Sequence, residues 1–146
     1  MLSVTKIFYF EMAHAIYGYS GPCKNVHGHS YELHVTVSNS FYGDDYIPAP
    51  GFVLDFKELK QLVQSSVLET LDHKIVLSDQ FLANNNAMAL QQNLLVWKAE
   101  PTAENILIYI QKILCEKLPS AIKLASLTLY ETKSSYALWK NKDVFN

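Results

Sequence analysis

The sequence predicts an α+β fold: an antiparallel β-sheet covered on one face by two helices, in the order β-β-α-α-β-β. Three observations predict it. Two stretches near the start alternate apolar and polar residues with period two. Two later stretches carry apolar residues at helical spacing, and two short alternating runs close the chain. The 146 residues suit a single domain, 1–146, with a real hydrophobic core.

From Leu2 to His14, the residues Val4, Phe8, Phe10 and Met12 share one parity with His14. That pattern predicts a strand whose apolar face ends in an imidazole. Gly18, Gly21 and Pro22 make residues 17–25 a loop. His27, His29, Tyr31, Leu33, Val35 and Val37 then alternate with Ser30, Glu32, His34, Thr36 and Ser38 in a long second strand. A polar loop follows, closed by Pro48, Pro50 and Gly51, and then a short apolar piece, Phe52 to Leu54. Asp55 is the expected N-cap of a helix from Phe56 to about Leu71, with Leu59, Leu62, Val63 and Leu71 on one side. Asp72 to Glu100 shows no clear period, and Asn84-Asn85-Asn86 argue for a loop there. Pro101-Thr102 start a second helix that runs to about Leu118, where Pro119 stops it. Ala125 to Thr132 and Tyr136 to Trp139 read as a closing pair of strands joined through Lys133-Ser134-Ser135.

Composition excludes several classes of function. A net charge of −2 offers no electrostatic footprint for nucleic acid or an anionic membrane. No apolar run approaches the roughly 20 residues that span a bilayer. Glu11 and His14 interrupt the apolar N-terminus, so it lacks the layout of a secretory signal. Cys23 and Cys115 alone make no disulfide framework, which points to a reduced, cytoplasmic protein. Every basic residue is a lysine, so phosphate must be held by point charges, backbone amides or helix N-termini.

The chemistry concentrates in Cys23-Lys24-Asn25-Val26-His27-Gly28-His29. Residues i and i+2 of a strand share a face, so His27 and His29 can aim two imidazoles at one metal. His14, at the end of the preceding strand, is the natural third ligand, and two antiparallel strands would bring it close to His29. Three nitrogens with an open position is the pattern of a catalytic zinc. A lone histidine would more simply be an ordinary strand residue; three converging by parity favour the metal. His34 lies on the opposite parity and is expected to face solvent or a neighbouring subunit.

Cys23 is open to two functional readings, a fourth ligand closing a structural site or a free thiolate acting as base or nucleophile. Cys115 sits on a helix away from every motif and reads as a packing residue. Asp72-His73 follows the first helix; a carboxylate-held imidazole is an oriented acid/base, although adjacent residues rarely pair directly. Glu131 shares the apolar parity of Leu127 and Leu129 and so needs a partner. That partner is either a lysine or the N–H and amino groups of a planar heterocycle. Thr102 and Glu104 fit the cap and first turn of the second helix.

Taken in order, a set of short motifs resembles the 6-pyruvoyltetrahydropterin synthase / 6-carboxytetrahydropterin synthase family. They are Phe10-Glu11-Met12-Ala13-His14, Cys23 with His27-Gly28-His29, Leu54-Asp55-Phe56, Leu71-Asp72-His73, Pro101-Thr102-Ala103-Glu104-Asn105 and Glu131-Thr132. The resemblance runs from the first strand to the last. It implies the tunnelling fold, hexamers of two stacked trimers, and active sites between subunits. It implies that His14, His27 and His29 hold Zn2+, that Cys23 is the catalytic thiol, and that Asp72 and His73 are the second acid/base pair. Glu131 becomes the pterin-anchoring carboxylate, also counted in the relay, with Thr102 beside it as a substrate contact. The implied substrate is a small molecule, 7,8-dihydroneopterin triphosphate, with no nicotinamide or flavin required.

The three residues between Cys23 and His27 resemble the 6-carboxytetrahydropterin synthases of the queuosine (7-deazaguanine) pathway, which release acetaldehyde and triphosphate. The alternatives are the pyruvoyl-forming branch of tetrahydrobiopterin synthesis, an aldol-type enzyme on a dephosphorylated pterin, and a non-catalytic zinc-stabilised pterin-binding module. The last predicts loss of thiol or relay residues, yet Cys23, Asp72, His73 and Glu131 are all present. Two features depart from the family. Ala15 stands where many relatives carry a basic residue, leaving Lys24, Lys74 or Lys133 as candidates to hold the triphosphate. Residues 78–100 are longer than in compact bacterial members and are expected to form an added strand, a lid or an oligomer contact.

Overall fold

Alternation places the first strand, β1 (Ser3–His14), antiparallel to β2 (His27–Asn39), with Phe10 opposite Tyr31, Met12 opposite His29 and His14 opposite His27. The computed structural model describes residues 2–39 and 45–145. Part of the polar loop expected after β2, residues 40–44, lies outside the described residues. Phe8, Phe10 and Met12 on β1 and Tyr31, Leu33, Val35 and Val37 on β2 are buried on the same face, as their parity requires. A register shift between Thr36 and Val37 breaks the alternation, so that Val37, Ser38 and Asn39 are all buried.

The first helix begins where Asp55 accepts a hydrogen bond from the Lys57 amide at 2.8 Å. It runs as α1 (Phe56–Val63), a π-helical stretch (Gln64–Leu68) and α2 (Glu69–Leu71). Ser65 and Ser66 hydroxyls donate back to the carbonyls of Gln61 and Leu62, competing with the regular ladder just where it widens. Leu59, Val63, Val67 and Leu71 nevertheless stay on the core side. The second long helix, α4 (Ala103–Lys117), starts at Thr102, whose hydroxyl accepts from the Asn105 amide. It buries Ile106, Leu107, Ile110 and Leu114 in the same core. Strands β5 (Ile122–Thr132) and β6 (Ser135–Lys140) close the antiparallel part, with β5 pairing against β2.

The α+β class holds, and the four expected strands pair antiparallel as predicted. The purely antiparallel β-β-α-α-β-β description needs one correction. Two further strands, β3 (Lys74–Ser78) and β4 (Leu94–Trp97), extend the sheet on the β1 side, giving the order β4-β3-β1-β2-β5-β6. Both added pairings are parallel, which makes the sheet mixed. In β3, Val76, Leu77 and Ser78 are consecutively buried, so two-sided burial erased the alternation that would have marked the strand. Between them lie α3 (Asp79–Asn84) and a 3₁₀ turn (Asn86–Leu90), with the three asparagines at their junction. The long 78–100 segment is thus built around an added edge strand. The last helix is α5 (Lys142–Phe145). Among the described residues, no helix is long and apolar enough to cross a membrane.

Candidate metal centre and active site

Register alone assembles the centre of the site. His14 and His27 face each other across β1 and β2, and His29 stands one pleat further along the same face. Ring centroids are 4.6 Å apart for His14–His27, 4.8 Å for His27–His29 and 5.2 Å for His14–His29. His14 was expected to approach His29; it meets both, and its direct cross-strand partner is His27. One ring nitrogen from each lies within 4.8 Å of the other two.

Two backbone carbonyls settle which nitrogens can bind. His14 Nδ1 lies 2.6 Å from the Pro101 carbonyl and His27 Nδ1 2.7 Å from that of Asn25. A carbonyl only accepts, so each Nδ1 carries the proton and each Nε2 presents a lone pair. Those two Nε2 atoms oppose each other at 3.1 Å. Facing lone pairs repel unless a cation lies between them. Nitrogens around a tetrahedral metal at ~2.0–2.1 Å would be roughly 3.3 Å apart. His29 Nε2 is buried without a hydrogen-bond partner; Glu131 Oε1 is 3.4 Å away, within ion-pair range but not in hydrogen-bonding geometry. Burial pushes both His14 and His29 below the ordinary imidazole range, with the Glu131 charge opposing it. The donor set therefore fits a metal ion: three imidazoles, two oriented through the other nitrogen, and one whose Nε2 has no hydrogen-bond partner among the described residues.

Tyr31 forms the floor. It is fully buried, stacked on Phe10 at 5.1 Å, and meets His29 edge-on at 5.5 Å. Burial, reinforced by the charges of Glu131 and Cys23, pushes its phenol far up, so it remains protonated.

Beside the cluster opens a cavity of about 330 Å³, near the lower end of the ~300–1,000 Å³ usual for small-molecule sites. His14, Cys23, Thr102 and Glu131 line it, with Tyr19 and Tyr136 among its walls. Cys23 sits in the 3₁₀ turn Pro22–Lys24, half-buried, and does not belong to the three-histidine group. The loop is shaped by Gly18, whose φ of 76° suits glycine, and by Gly21. The Tyr19 ring lies so close to Gly21 that an added Cβ would fall 2.4 Å from it. Glu131 faces His29 at 3.4 Å and makes no ion pair with a lysine among the described residues.

Asp72 and His73 lie elsewhere. His73 lines a different groove, together with Glu11, Lys74, Asn93 and also His29 of the three-histidine cluster, and its side chain is 79% exposed. Its backbone is nonetheless fixed: the amide donates to Glu11 O at 2.6 Å, and the carbonyl accepts from Asn93 Nδ2 at 2.8 Å. His73 takes a left-handed φ of 59°, which accompanies a 3.0 Å approach of Nδ1 to Asp72 Oδ1 despite their adjacency. Asp72 Oδ1 also accepts the Glu11 amide at 2.8 Å. A single chain thus unites His14, His27, His29, Cys23, Thr102 and Glu131 but leaves Asp72 and His73 outside that cavity. His34 turns away, as expected, and pairs with Glu32 at 2.6 Å. The carbonyls of Asn25 and Pro101 escaped the sequence reading because backbone donors and acceptors leave no side-chain signature. Tyr19 and Tyr136 escaped it because an exposed aromatic fits no motif.

Fold and site together define a class: an α+β protein with three histidines that could hold a metal ion mounted on two strands, beside a thiol and a carboxylate. Known proteins agree with that class. The family model described as 6-pyruvoyl tetrahydropterin synthase matches residues 3–142. A 6-carboxy-5,6,7,8-tetrahydropterin synthase of Haemophilus influenzae is 33% identical over 141 residues, covering 93% of this chain and 96% of the relative. Its counterpart in Rickettsia bellii is 29% identical over 140 residues, covering 93% and 98%. The solved 6-pyruvoyl tetrahydropterin synthase of Caenorhabditis elegans superposes with a TM-score of 0.66 at 24% identity, covering 97% and 96%. The chain belongs to the 6-pyruvoyl tetrahydropterin synthase family, enzymes that make tetrahydropterins on the tunnelling fold.

Proposed function

We propose that the protein is a zinc-dependent 6-carboxy-5,6,7,8-tetrahydropterin synthase, a lyase acting as one domain, 1–146. It would convert 7,8-dihydroneopterin triphosphate, with one water, into 6-carboxytetrahydropterin, acetaldehyde and triphosphate, in queuosine (7-deazaguanine) synthesis. The observation that carries this is the placement of Cys23 and Glu131 in one cavity with His14, which belongs to a group of three imidazoles that could hold a metal ion. The carboxy branch is supported by the Haemophilus relative and by the three-residue gap between Cys23 and His27.

His14, His27 and His29 would hold Zn2+, which when bound supplies Lewis acidity toward the side-chain hydroxyls of the substrate. Glu131 would accept the N–H and amino hydrogens of the pterin and set the ring in the cavity, with Thr102 alongside. Cys23 would take a proton from the side chain of the substrate. His73, oriented by Asp72, would return one. The dihydropterin ring gains the electrons that the side chain gives up, so no external redox partner is needed.

Asp72 and His73 fit this scheme in an assembly in which the exposed imidazole of one copy reaches the cavity of the next. That supports sites between subunits, and the family resemblance implies a homohexamer built as a dimer of trimers. Both cysteines are free thiols, which supports a cytoplasmic location.

The test is to incubate the zinc-loaded protein with 7,8-dihydroneopterin triphosphate and identify products by mass spectrometry. 6-Carboxytetrahydropterin with acetaldehyde is expected. A pyruvoyl product would move the protein to the other branch, and no turnover of the triphosphate would leave the aldol-type enzyme on a dephosphorylated pterin or the pterin-binding module.

A further inference from the structure

We infer that Glu100 is a positioning residue: its carboxylate, as a hydrogen-bond acceptor, holds the Cys23 loop in register with the three-histidine cluster. The loop leaves β1 at His14 and re-enters the sheet at His27, so only its own bonds and its contacts with other elements fix the thiol. Turn bonds inside it, Lys24 N–H to Gly21 O and Asn25 N–H to Pro22 O, are long at 3.2 and 3.1 Å and shape the turn without placing it. Two shorter bonds act in series. The Ile16 amide donates to Cys23 O at 2.8 Å, tying the thiol's residue to the start of the loop. The next amide, Tyr17 N–H, donates to Glu100 Oε2, also at 2.8 Å, tying the start of the loop to a distant segment.

That segment is itself anchored. Glu100 O accepts the Thr102 amide at 2.9 Å and Asn105 Nδ2 at 2.8 Å, so its backbone is part of the cap of α4. Its neighbour Pro101 supplies the carbonyl that orients His14. Two consecutive residues therefore govern both halves of the site: a carbonyl turns the metal-facing imidazole, and a carboxylate sets the loop that bears the thiol. Thr102 and Asn105 keep the pair rigid. The bond to Tyr17 calls for an acceptor oxygen at that reach and does not depend on charge, which separates glutamine from alanine at this position.

This inference rests on Cys23 acting as the base of the proposed reaction, so its test includes a readout independent of turnover. Glu100→Ala, Glu100→Gln and the wild type are prepared zinc-loaded. Each is measured for metal content, for kcat and KM on 7,8-dihydroneopterin triphosphate, and for the alkylation rate of Cys23 by iodoacetamide. Peptide mass spectrometry separates Cys23 from the exposed Cys115. Glu100→Ala is expected to keep its zinc and its KM within about twofold and to lose roughly tenfold or more in kcat. The Cys23 alkylation rate should change severalfold, and Glu100→Gln should restore both quantities. If Glu100→Ala does not fold, Glu100→Asp, too short to reach the Tyr17 amide, takes its place with the same expectation.

Unchanged alkylation and kcat in the shortened variant would overturn the inference. So would a glutamine variant as impaired as alanine, or a loss of zinc and activity together. If the wild type turns over no pterin but Cys23 alkylation still shifts and is rescued by glutamine, Glu100 keeps its positioning role and only the proposed reaction falls.

Discussion

His29 and His34 share a strand and differ by an odd number of positions, so they point to opposite faces of the sheet. One packs against His14 and His27; the other pairs with Glu32 and packs on the Tyr130 ring at 5.3 Å. His29→Ala should weaken metal binding by at least ~100-fold, since loss of even an indirect partner of a ligand commonly costs 10–100-fold. His34→Ala should bind metal as the wild type does. Metal content after desalting, read by elemental mass spectrometry, checks both, and equal losses would contradict the strand-face assignment. Cys23 lies outside the ligand group, so Cys23→Ala should keep its metal and its melting temperature. Its kcat should fall by ~10²–10⁴, the usual worth of a positioned acid or base.

Among the elements, α4 serves the site through its N-terminal end. Its cap residue lines the cavity, and the residue before the cap orients His14. Thr102→Ala removes the hydroxyl that accepts the Asn105 amide and should cost ~1 kcal/mol of stability. For a chain of this size that lowers the melting temperature by ~3 °C, measurable by scanning calorimetry. The α2–β3 junction makes a different demand. His73 must adopt a left-handed φ, which asparagine tolerates better than most residues. His73→Asn should therefore leave the melting temperature nearly unchanged while removing the exposed imidazole and, with it, turnover. A large drop in melting temperature would mean that the histidine serves the fold first.

At the scale of the whole molecule, His73 lies outside the cavity that holds Cys23, and the proposed reaction would join the two through a neighbouring copy. Cys23→Ala and His73→Asn are each expected to be inactive alone. Unfolded together and refolded as a mixture, they should regain activity, since roughly a quarter of sites would then pair an intact thiol with an intact imidazole. No recovery, with mixed oligomers confirmed by native mass spectrometry, would place both residues in the same chain's site. Metal linkage is also global. An ion bound only by the folded chain at ~1,000 times its Kd adds about 4 kcal/mol, so chelation should lower the melting temperature by roughly 12 °C and zinc should restore it.

Much of this was legible in the chain itself. Period-two alternation located β1, β2 and β5, Asp55 and Thr102 marked the helix starts, and parity put His14, His27 and His29 on one face while excluding His34. These features are local: each depends on which side of one strand or helix a residue occupies, and the backbone repeat fixes that before any tertiary contact forms. Tertiary structure alone decided the rest. Strand β3 was invisible because a parallel strand buried on both faces loses its alternation, and β4 because its four residues form a half-exposed edge too short to show a period. The carbonyls of Pro101 and Asn25 and the reach of Glu100 to the Tyr17 amide join residues through backbone groups that every sequence carries alike. The separation of Asp72 and His73 from Cys23 likewise had no local trace, since distance across a sheet is set by strand order and not by spacing along the chain.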